Sequence, residues 1–427
     1  MMIKIICSAQ AYTYNAYHIV KAFYPAVEIT NHVEEKASNY VEINFSDGQV
    51  IAVKKEEITV EQAAEKKAQI DKRLYEKLAE ESGRTLAWGI LTGVRPTKLA
   101  MKKLEEGMEA EEFVSWFQKT YLVSEEKSRL AWEIAKREKQ LLDQLDYEDG
   151  YSLYVGIPFC PTVCTYCSFS SGALADWKDS VDAYVNALCK ELEFIGKVSK
   201  EKKLNSIYIG GGTPTSLNAR QLERILSCID THFSREYLLE YTVEAGRPDS
   251  ITEEKLQVIK AHKVTRISIN PQTMQQKTLD TIGRKHTVED ICKTYEMARN
   301  LGFDNINMDL IAGLPDETSV DMKDTLDKIG RLKPDSLTVH SLAIKRAAKM
   351  GQEVKEGQSD ASVCNISPEI GVMISEAEKA ADDMGLKPYY LYRQKNIAGN
   401  FENVGYAKVD KAGIYNILIM EEKQTIL

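Results

Sequence analysis

Residues 160–167 read Cys160-Pro161-Thr162-Val163-Cys164-Thr165-Tyr166-Cys167, and they follow an apolar run from Leu153 to Ile157. A loop this short, with CxxxCxxC spacing, lets three thiolates converge on one iron–sulfur cube. A [4Fe–4S] cluster usually takes four thiolates, so three leave one iron with an open site, where metal-based catalysis occurs. Zinc is the alternative, but zinc sites normally pair two such motifs, and no second pair follows here. The spacing favours a catalytic [4Fe–4S] cluster.

The region from residue 151 to about 345 alternates between short strand-like apolar segments and amphipathic helix-like segments. This alternation predicts βαβ units, which form a parallel sheet through right-handed crossovers. Six units fit an incomplete (β/α)6 barrel of the α/β class, with its chemistry at the carboxyl ends of the strands. The predicted strands are Leu153–Gly156, Ser206–Gly210, Leu239–Val243, Arg266–Ile269, Asn305–Ile311 and Ser336–His340.

Smaller regions flank this barrel, which is assigned to residues 149–345. The predicted regions are a small α/β unit at 1–57, a helical region at 58–148, and a C-terminal α+β extension on the substrate side at 346–427.

The C-terminal extension is predicted to begin with a polar, poorly patterned segment, Lys349 to Ser359. A helix follows from about Pro368 to Met384, and a last strand runs from Ile414 to Met420. Because the pattern stops in mid-strand at Leu427, we expect a truncated sequence.

Composition narrows the class of protein. The 427 residues, 43% of them hydrophobic, are typical of a globular protein of two or three domains, and the net charge of −9 argues against a broad nucleic-acid surface. No stretch approaches a membrane span, and the start lacks a signal-peptide pattern. Free thiols outside the motif fit a reducing cytoplasm; Cys189, Cys228 and Cys292 are predicted to be buried in helices, while Cys7 and Cys364 complete the set.

Polar or glycine residues follow successive predicted strands. Gly210-Gly211-Gly212-Thr213 ends the second strand, and glycines there let backbone groups approach a ligand closely. Glu244 follows the third strand, Gln272 and Arg284 follow the fourth, and Asp309 lies in the fifth. Each alone reads best as a rim or surface group, but their placement at successive strand ends favours one shared site. His340, ending the sixth strand, is interpreted as structural.

The motif and its flanks resemble the radical S-adenosylmethionine superfamily and, within it, the oxygen-independent coproporphyrinogen III oxidase family. The residues that carry the resemblance are Tyr154-Val155-Gly156-Ile157-Pro158-Phe159-Cys160 and Tyr166-Cys167-Ser168-Phe169. The resemblance implies that the open iron binds S-adenosylmethionine. It also implies a cofactor-binding set made up of Tyr154, Tyr166, Gly211, Gly212, Thr213, Glu244, Gln272, Arg284 and Asp309.

The resemblance also implies a reaction. In this family a 5′-deoxyadenosyl radical removes hydrogen from propionates of coproporphyrinogen III, and loss of CO₂ and one electron leaves the vinyl groups of protoporphyrinogen IX. The implied partners are the tetrapyrrole and a flavodoxin- or ferredoxin-type electron donor. The amino-terminal 150 residues and residues 389–403 look like a Gram-positive coproporphyrinogen dehydrogenase subgroup.

Two positions depart from the family pattern. Phe169 stands where the oxidase has a fourth cysteine, and Gly156 stands where it has histidine. Whether one or two S-adenosylmethionine molecules bind stays open at this point. A haem chaperone that kept the cysteine loop and another radical reaction on a tetrapyrrole are the alternatives.

Basic residues outside the barrel are candidates for binding the four carboxylates of such a substrate, since the whole chain is acidic. Arg393 is favoured because Tyr389, Tyr390 and Tyr392 supply flat faces beside it. Arg95 is the second candidate. Lys98 and Lys395 lie beside these two arginines and are weaker possibilities.

Overall fold

The computed structural model describes the chain except Met1, Ala26, Val94, 344–347, 356–368 and 395–399. It divides into two compact units. The amino-terminal unit contains Met1–Ala135, Glu353–Gly371 and Tyr392–Glu402, and the large-sheet unit contains Lys136–Gln352, Val372–Leu391 and Asn403–Leu427. The predicted region 1–57 and residues 58–135 of the predicted helical region therefore share one unit, while residues 136–148 belong to the other, and residues of the C-terminal extension belong to both.

The amino-terminal unit is built on a four-stranded sheet. Its strands are β1 (Met2–Cys7), β2 (Glu28–Val33), β3 (Asn39–Phe45) and β4 (Val50–Lys54), in the order β2-β1-β3-β4. Alternate residues of β1, β3 and β4 are buried, as the period-two pattern predicts. Strand β2 was not predicted, because its residues are mostly polar and at least partly exposed, and it pairs in parallel with β1.

Helices complete this unit. They are α1 (Gln10–Phe23), α2 (Ala63–Ser82), α3 (Thr97–Glu105), α4 (Ala110–Tyr121) and α5 (Glu125–Leu142), whose second half belongs to the large-sheet unit. Helices α1 and α2 pack their apolar faces on the sheet in a core with Phe23, Ile43 and Leu74. Helix α2 ends at Gly83 in the left-handed conformation, as the Ser-Gly stop signal predicts.

The large-sheet unit contains six parallel strands that follow one another in chain order, which confirms the predicted α/β arrangement. They are β5 (Gly150–Ile157), β8 (Lys203–Gly211), β9 (Glu240–Gly246), β10 (Arg266–Ile269), β11 (Ile306–Ala312) and β12 (Ser336–Ser341). A separate short pair is formed by β6 (Phe159–Cys160) and β7 (Gly172–Ala173).

Further strands extend the six-stranded sheet at both edges. Strands β13 (Lys387–Tyr392) and β14 (Asn403–Ala407) continue beyond β12, where β14 is antiparallel, and β15 (Thr425–Ile426) pairs in parallel with β5. Helices lie between the strands in sequence. They are α6 (Leu174–Trp177), α7 (Val181–Val198), α8 (Ala219–His232), α9 (Glu253–Ala261), α10 (Gln276–Thr281), α11 (Val288–Asn300), α12 (Ser319–Leu332), α13 (Lys349–Lys355), α14 (Glu369–Asp383) and α15 (Ile414–Glu421).

Two predictions for the C-terminal region were wrong. The predicted last strand is helix α15, because the buried carboxylate of Glu240 accepts the backbone N–H of Ile414 at 2.5 Å and so satisfies a helix amino terminus. This tertiary contact outweighs the strand preference of an isoleucine-rich run. The polar segment from Lys349 begins as helix α13 up to Lys355, and the rest of it lies outside the described residues.

The cysteines outside the motif are also less buried than predicted. Cys7 is buried, but Cys189, Cys228 and Cys292 are half-buried, because they lie at the margins of the apolar stripes of their helices. All are free thiols, and Cys364 lies outside the described residues. Among the described residues, no helix is both long enough and apolar enough to cross a membrane.

Candidate functional site at the carboxyl ends of the parallel strands

The cysteine loop leaves the sheet at the end of β5. Cys160 and Cys164 are buried and Cys167 is half-buried, and all three are free thiols. Burial raises the pKa of Cys167, as does the nearness of Cys164 and Cys160, so the three sulfurs are close enough to influence one another.

In the part of the chain that the structure describes, no three His, Cys, Asp or Glu side chains can bind one metal ion together. A [4Fe–4S] cluster makes a different demand, because each of its cysteines binds a separate iron.

The glycine run at the end of β8 packs directly on this loop. The N–H of Gly212 donates to the carbonyl of Ile157 at 2.7 Å. A Cβ at Gly212 would lie 2.6 Å from the Phe159 oxygen and 3.0 Å from the sulfur of Cys160, and Gly211 has φ +104°. Thr213 is buried and donates its hydroxyl to Cys160 Sγ at 3.4 Å. The close approach of the two backbones is therefore enough to require glycine at these positions, whether or not the glycines also contact a ligand.

Two carboxyl groups with opposite pKa shifts lie on β9 and β11, the two strands that flank β10. Although Glu244 keeps some accessible surface, protein atoms surround its carboxyl group, and this burial raises its pKa to about 7 while the Tyr208 hydroxyl donates to it. Burial would also raise the pKa of Asp309, but His340 and Asn307 outweigh it and the pKa is lowered. His340 Nε2 lies 3.8 Å from Asp309 Oδ2, so this histidine, interpreted as structural from sequence, belongs to the site.

Gln272 is held in a strained backbone conformation beside Asp309. Its φ is +68°, which costs a non-glycine residue about 1 kcal/mol or more. Its N–H donates to the carbonyl of Asp309 at 2.9 Å, and its own carbonyl accepts from Ile311 at 3.0 Å, so β11 fixes it on both sides. Among the described residues its buried side-chain oxygen has no hydrogen-bond partner. A strained residue with an unsatisfied buried acceptor is typical of a ligand site.

Arg284 is buried against the cysteine loop. Its Nη1 donates to the carbonyl of Asn270 at 2.5 Å, and its guanidinium interacts electrostatically with Cys164 and Tyr166. Its Nε has no partner within the described part of the chain. The structure therefore brings Arg284, Tyr166 and the loop together as predicted, while binding of a ligand carboxylate by Arg284 stays a prediction.

Tyr154 is 40% exposed and takes part in an aromatic stack. Its ring lies 6.2 Å from that of Tyr208, which in turn lies 4.4 Å from Tyr415 of α15. Sequence reasoning missed Tyr208 and Tyr415. Alternation along β8 places Tyr208 two residues before Gly210 and could have identified it, but Tyr415 was hidden by the wrong prediction of a strand.

Arg247 is a second residue that the sequence analysis missed. It is buried directly after β9, and its Nη1 lies 3.8 Å from Cys164 Sγ. Its only signal in the sequence was a position three residues after Glu244.

The two candidate substrate residues belong to the amino-terminal unit. Arg393 is buried, its Nη1 donates to the carbonyl of Leu91 at 2.8 Å, and its guanidinium lies 5.7 Å from the centre of the Trp88 ring. These contacts give Arg393 a structural role, and substrate binding by it stays a prediction. Arg95 and Lys98 are half-buried at the start of α3, and Lys395 lies outside the described residues.

Comparisons with known proteins agree with this geometry. Residues 154–329 match the radical SAM superfamily, which uses a [4Fe–4S] cluster and S-adenosylmethionine. The chain is 44% identical over 354 residues to the oxygen-independent coproporphyrinogen-III oxidase-like protein HemZ of Bacillus subtilis, covering 82% of this chain and 70% of that protein. It is 37% identical over 197 residues to the haem chaperone HemW of Bacillus subtilis, covering 45% of this chain and 51% of the chaperone.

The fold also matches a solved structure, that of the radical SAM enzyme coproporphyrinogen III oxidase (HemN) from Escherichia coli. The TM-score is 0.52 at 23% identity, covering 66% of this chain and 60% of that one. The chain thus spans between about half and 70% of the length of these proteins.

The described residues fit the groups that this superfamily uses. Three free thiols share one loop, and Gln272 and Arg284 present buried polar atoms without partners among the described residues. The 44% identity to HemZ over 82% of this chain shows the family. This chain belongs to the radical S-adenosylmethionine superfamily of enzymes, and within it to the relatives of the oxygen-independent coproporphyrinogen-III oxidase-like protein HemZ.

Proposed function

We propose that this chain is a radical S-adenosylmethionine oxidoreductase that decarboxylates propionate side chains of coproporphyrinogen III to vinyl groups. The observation that carries the cofactor part of this proposal is Gln272, whose strained backbone presents an unsatisfied buried oxygen beside Asp309. The substrate part rests on the 44% identity to an oxidase-like protein over most of the chain.

In this proposal Cys160, Cys164 and Cys167 hold the cluster, and one iron stays open to S-adenosylmethionine. These groups would supply the one-electron chemistry that removes a hydrogen atom from the substrate. The residues proposed to hold S-adenosylmethionine are Tyr154, Tyr166, Gly211, Gly212, Thr213, Glu244, Gln272, Arg284 and Asp309. A reducing donor of flavodoxin or ferredoxin type, in the cytoplasm, is part of the proposal, and free thiols at every described cysteine support it.

The contacts of the two carboxyl groups suggest different tasks for them. Tyr208 donates to Glu244 and orients it, while the pKa of about 7 lets the carboxyl group accept or donate a hydrogen bond near neutral pH. Asp309 is held as the anion by Asn307, whose Nδ2 donates at 2.7 Å, and by His340. Asp309 is therefore suited to accept hydrogen bonds from hydroxyl or ammonium groups of a ligand.

The negative charge of the proposed substrate requires positively charged residues where it binds. Coproporphyrinogen carries four carboxylates and the chain has a net charge of −9, so cations must receive it locally. Arg95 and Arg393 remain the proposed candidates, and the burial of Arg393 favours Arg95 for direct contact.

A haem chaperone without oxidase activity is the second candidate. It is favoured by the 37% identity to the chaperone over 197 residues, and by Phe169, which stands where the oxidase has a fourth cysteine. Phe169 is 69% exposed and offers a flat apolar face two residues after Cys167.

One anaerobic experiment distinguishes these functions. The reconstituted chain is incubated with coproporphyrinogen III, S-adenosylmethionine and a reductant, and the products are read by mass spectrometry, with Cys164→Ala as the inactive control. Loss of 46 mass units per propionate, about the mass of CO₂ and two hydrogens, supports the oxidase. Stoichiometric haem binding without turnover supports the chaperone, and any other mass change indicates a different radical reaction on the tetrapyrrole.

A further inference from the structure

Arg247 makes three contacts with the cysteine loop. It follows β9 and is only 3% exposed. Its Nη1 donates to the carbonyl of Thr162 at 2.7 Å and to the Thr162 hydroxyl at 3.0 Å, and it lies 3.8 Å from Cys164 Sγ. Nη1 of Arg247 therefore contacts both Thr162, between the first two cysteines, and the sulfur of Cys164.

Asp249 fixes the orientation of this guanidinium. Nε of Arg247 donates to Oδ1 at 3.0 Å and Nη2 donates to Oδ2 at 2.6 Å, a two-point pairing that leaves Nη1 directed at the loop. Burial would raise the pKa of Asp249, but His286, whose Nδ1 lies 3.6 Å from Oδ1, and the hydrogen bonds from Arg247 outweigh it and hold the pKa well below its usual range. Asp249 therefore stays ionised, and the ion pair persists at any ordinary pH.

Two arginines lie near the sulfur of Cys164. Arg247 approaches it from the residues after β9, and Arg284, which follows α10, interacts electrostatically with both Cys164 and Cys167. The sulfur of Cys160 receives a neutral hydroxyl, that of Thr213. Positive charge and N–H donors at a thiolate stabilise its anionic form, and around an iron–sulfur cluster they raise the reduction potential.

We propose that Arg247, oriented by Asp249, is a positioning residue that fixes the loop between Cys160 and Cys164 and raises the reduction potential of the cluster held there. The inference rests on the proposed function, because it assumes a cluster on these cysteines. Lysine cannot replace the arginine fully, since an ammonium group cannot pair with Asp249 at two points and still donate to Thr162 in a fixed direction.

The test compares reconstituted full-length chains that carry Arg247→Gln, Arg247→Lys or Asp249→Asn with the unchanged chain. The control is Arg299→Lys, which alters a half-buried ion pair of the same unit, Arg299 with Asp335 at 2.6 Å. Iron content, melting temperature and the electron paramagnetic resonance signal of the reduced cluster during a dye-mediated redox titration are measured on each.

We expect Arg247→Gln to make cluster reduction about tenfold less favourable, which corresponds to about 59 mV for one electron. Arg247→Lys and Asp249→Asn should shift the potential in the same direction but less, because the positive charge stays while its fixed orientation is lost. Arg299→Lys should leave the potential unchanged.

The outcomes separate this inference from the proposed function. An unchanged chain that takes up no iron would overturn the proposed function and this inference with it. A normal cluster in the unchanged chain together with unaltered potentials in Arg247→Gln and Arg247→Lys would overturn this inference alone. If Arg247→Gln does not fold, Asp249→Asn decides, because a potential equal to that of the unchanged chain contradicts an oriented guanidinium.

Discussion

The strands of the two sheets differ in the kind of side chain that they bury at alternate positions. In the amino-terminal unit, β1, β3 and β4 bury apolar side chains such as Ile5, Ile43 and Val53. In the large-sheet unit, buried alternate positions hold polar groups, among them Glu240 and Arg266.

Buried charges in the two units also differ in how they are satisfied. Lys127 pairs with Glu402 at 2.8 Å in the amino-terminal unit, and Glu402 accepts from the Trp88 indole at 2.7 Å. In the large-sheet unit, Gln272 and Arg284 keep atoms without partners among the described residues. Unpartnered buried atoms occur in both units, since Arg393 Nε also lacks a partner among the described residues. What distinguishes Gln272 is that its unpartnered oxygen is combined with a strained backbone beside a strand of the parallel sheet.

The largest expected effect is the loss of iron on changing a loop cysteine. Cys164→Ala should reduce iron from about four per chain to almost none after anaerobic reconstitution, because two thiolates do not hold the cluster. Cys7→Ala is the matched control, since Cys7 is a buried free thiol of the amino-terminal unit and its loss should leave iron unchanged. If Cys164→Ala bound as much iron as the unchanged chain, Cys164 would not be a cluster ligand, and the contrast with Cys7 would be lost.

The next effect tests whether Arg393 is structural. Arg393→Ala removes charged hydrogen bonds to Leu91 and Gly93 and the contact with Trp88, so we expect the free energy of unfolding to fall by about 4 kcal/mol. Arg129→Ala removes an exposed ion pair with Glu111 and should leave the free energy of unfolding almost unchanged. Denaturant unfolding measures both. Normal stability with lost porphyrinogen binding in Arg393→Ala would instead support the substrate role.

The raised pKa of Glu244 makes stability depend on pH. A carboxyl group whose folded pKa exceeds its unfolded value of about 4.5 stabilises the fold fully below pH 4.5, and this contribution is lost as pH rises through about 7. Glu244→Gln keeps the acceptor for Tyr208 without the charge. In ligand-free protein we expect it to match the unchanged chain near pH 5 and to exceed its unfolding free energy by about 2 kcal/mol at pH 8.

Asp71 provides the control for this pH dependence. It lies in the amino-terminal unit, Asn15 donates to it at 2.6 Å, and burial raises its pKa to about 6. Asp71→Asn should therefore show the same sign, with its gain in stability complete nearer pH 6. Thermal melts across pH 5 to 8 measure both, and no difference between Glu244→Gln and the unchanged chain at pH 8 would contradict the raised pKa.

The smallest expected effect concerns the affinity for the cofactor. Arg284→Lys keeps the charge but removes the planar fork, and we expect the dissociation constant for S-adenosylmethionine to rise about tenfold, or about 1.4 kcal/mol, with iron content unchanged. Isothermal titration of the reconstituted chain measures this. Unchanged affinity would leave Arg284 as a group that only supports Cys164 and Tyr166.

Much of the fold followed from sequence periodicity, but tertiary contacts decided the exceptions. The six parallel strands were predicted because each carries its own apolar signal between helices. Strand β2 was missed because polar, partly exposed residues at the edge of a sheet carry little such signal. Helix α15 was assigned as a strand because its amino terminus depends on Glu240, a residue 174 positions earlier.

The site was predictable where spacing or strand ends carried the information. The cysteines, Glu244, Gln272 and Asp309 were predicted in this way, and their roles in binding a ligand stay predictions. Arg247 was missed because a single arginine after a strand looks like any surface cation until Asp249 and Thr162 are seen beside it.

The division of the chain has a practical consequence for anyone who wishes to dissect this protein. The chain passes from one unit to the other at five points: after Ala135, Gln352, Gly371, Leu391 and Glu402. No single cut therefore releases either unit whole. An expressed fragment that stops at Ala135 would lack Glu402 and Arg393, and so would leave Lys127 and Trp88 without the carboxylate and guanidinium that they contact in the intact chain. We expect such a fragment to aggregate, and separation of the units requires joining the later segments to the first through designed linkers.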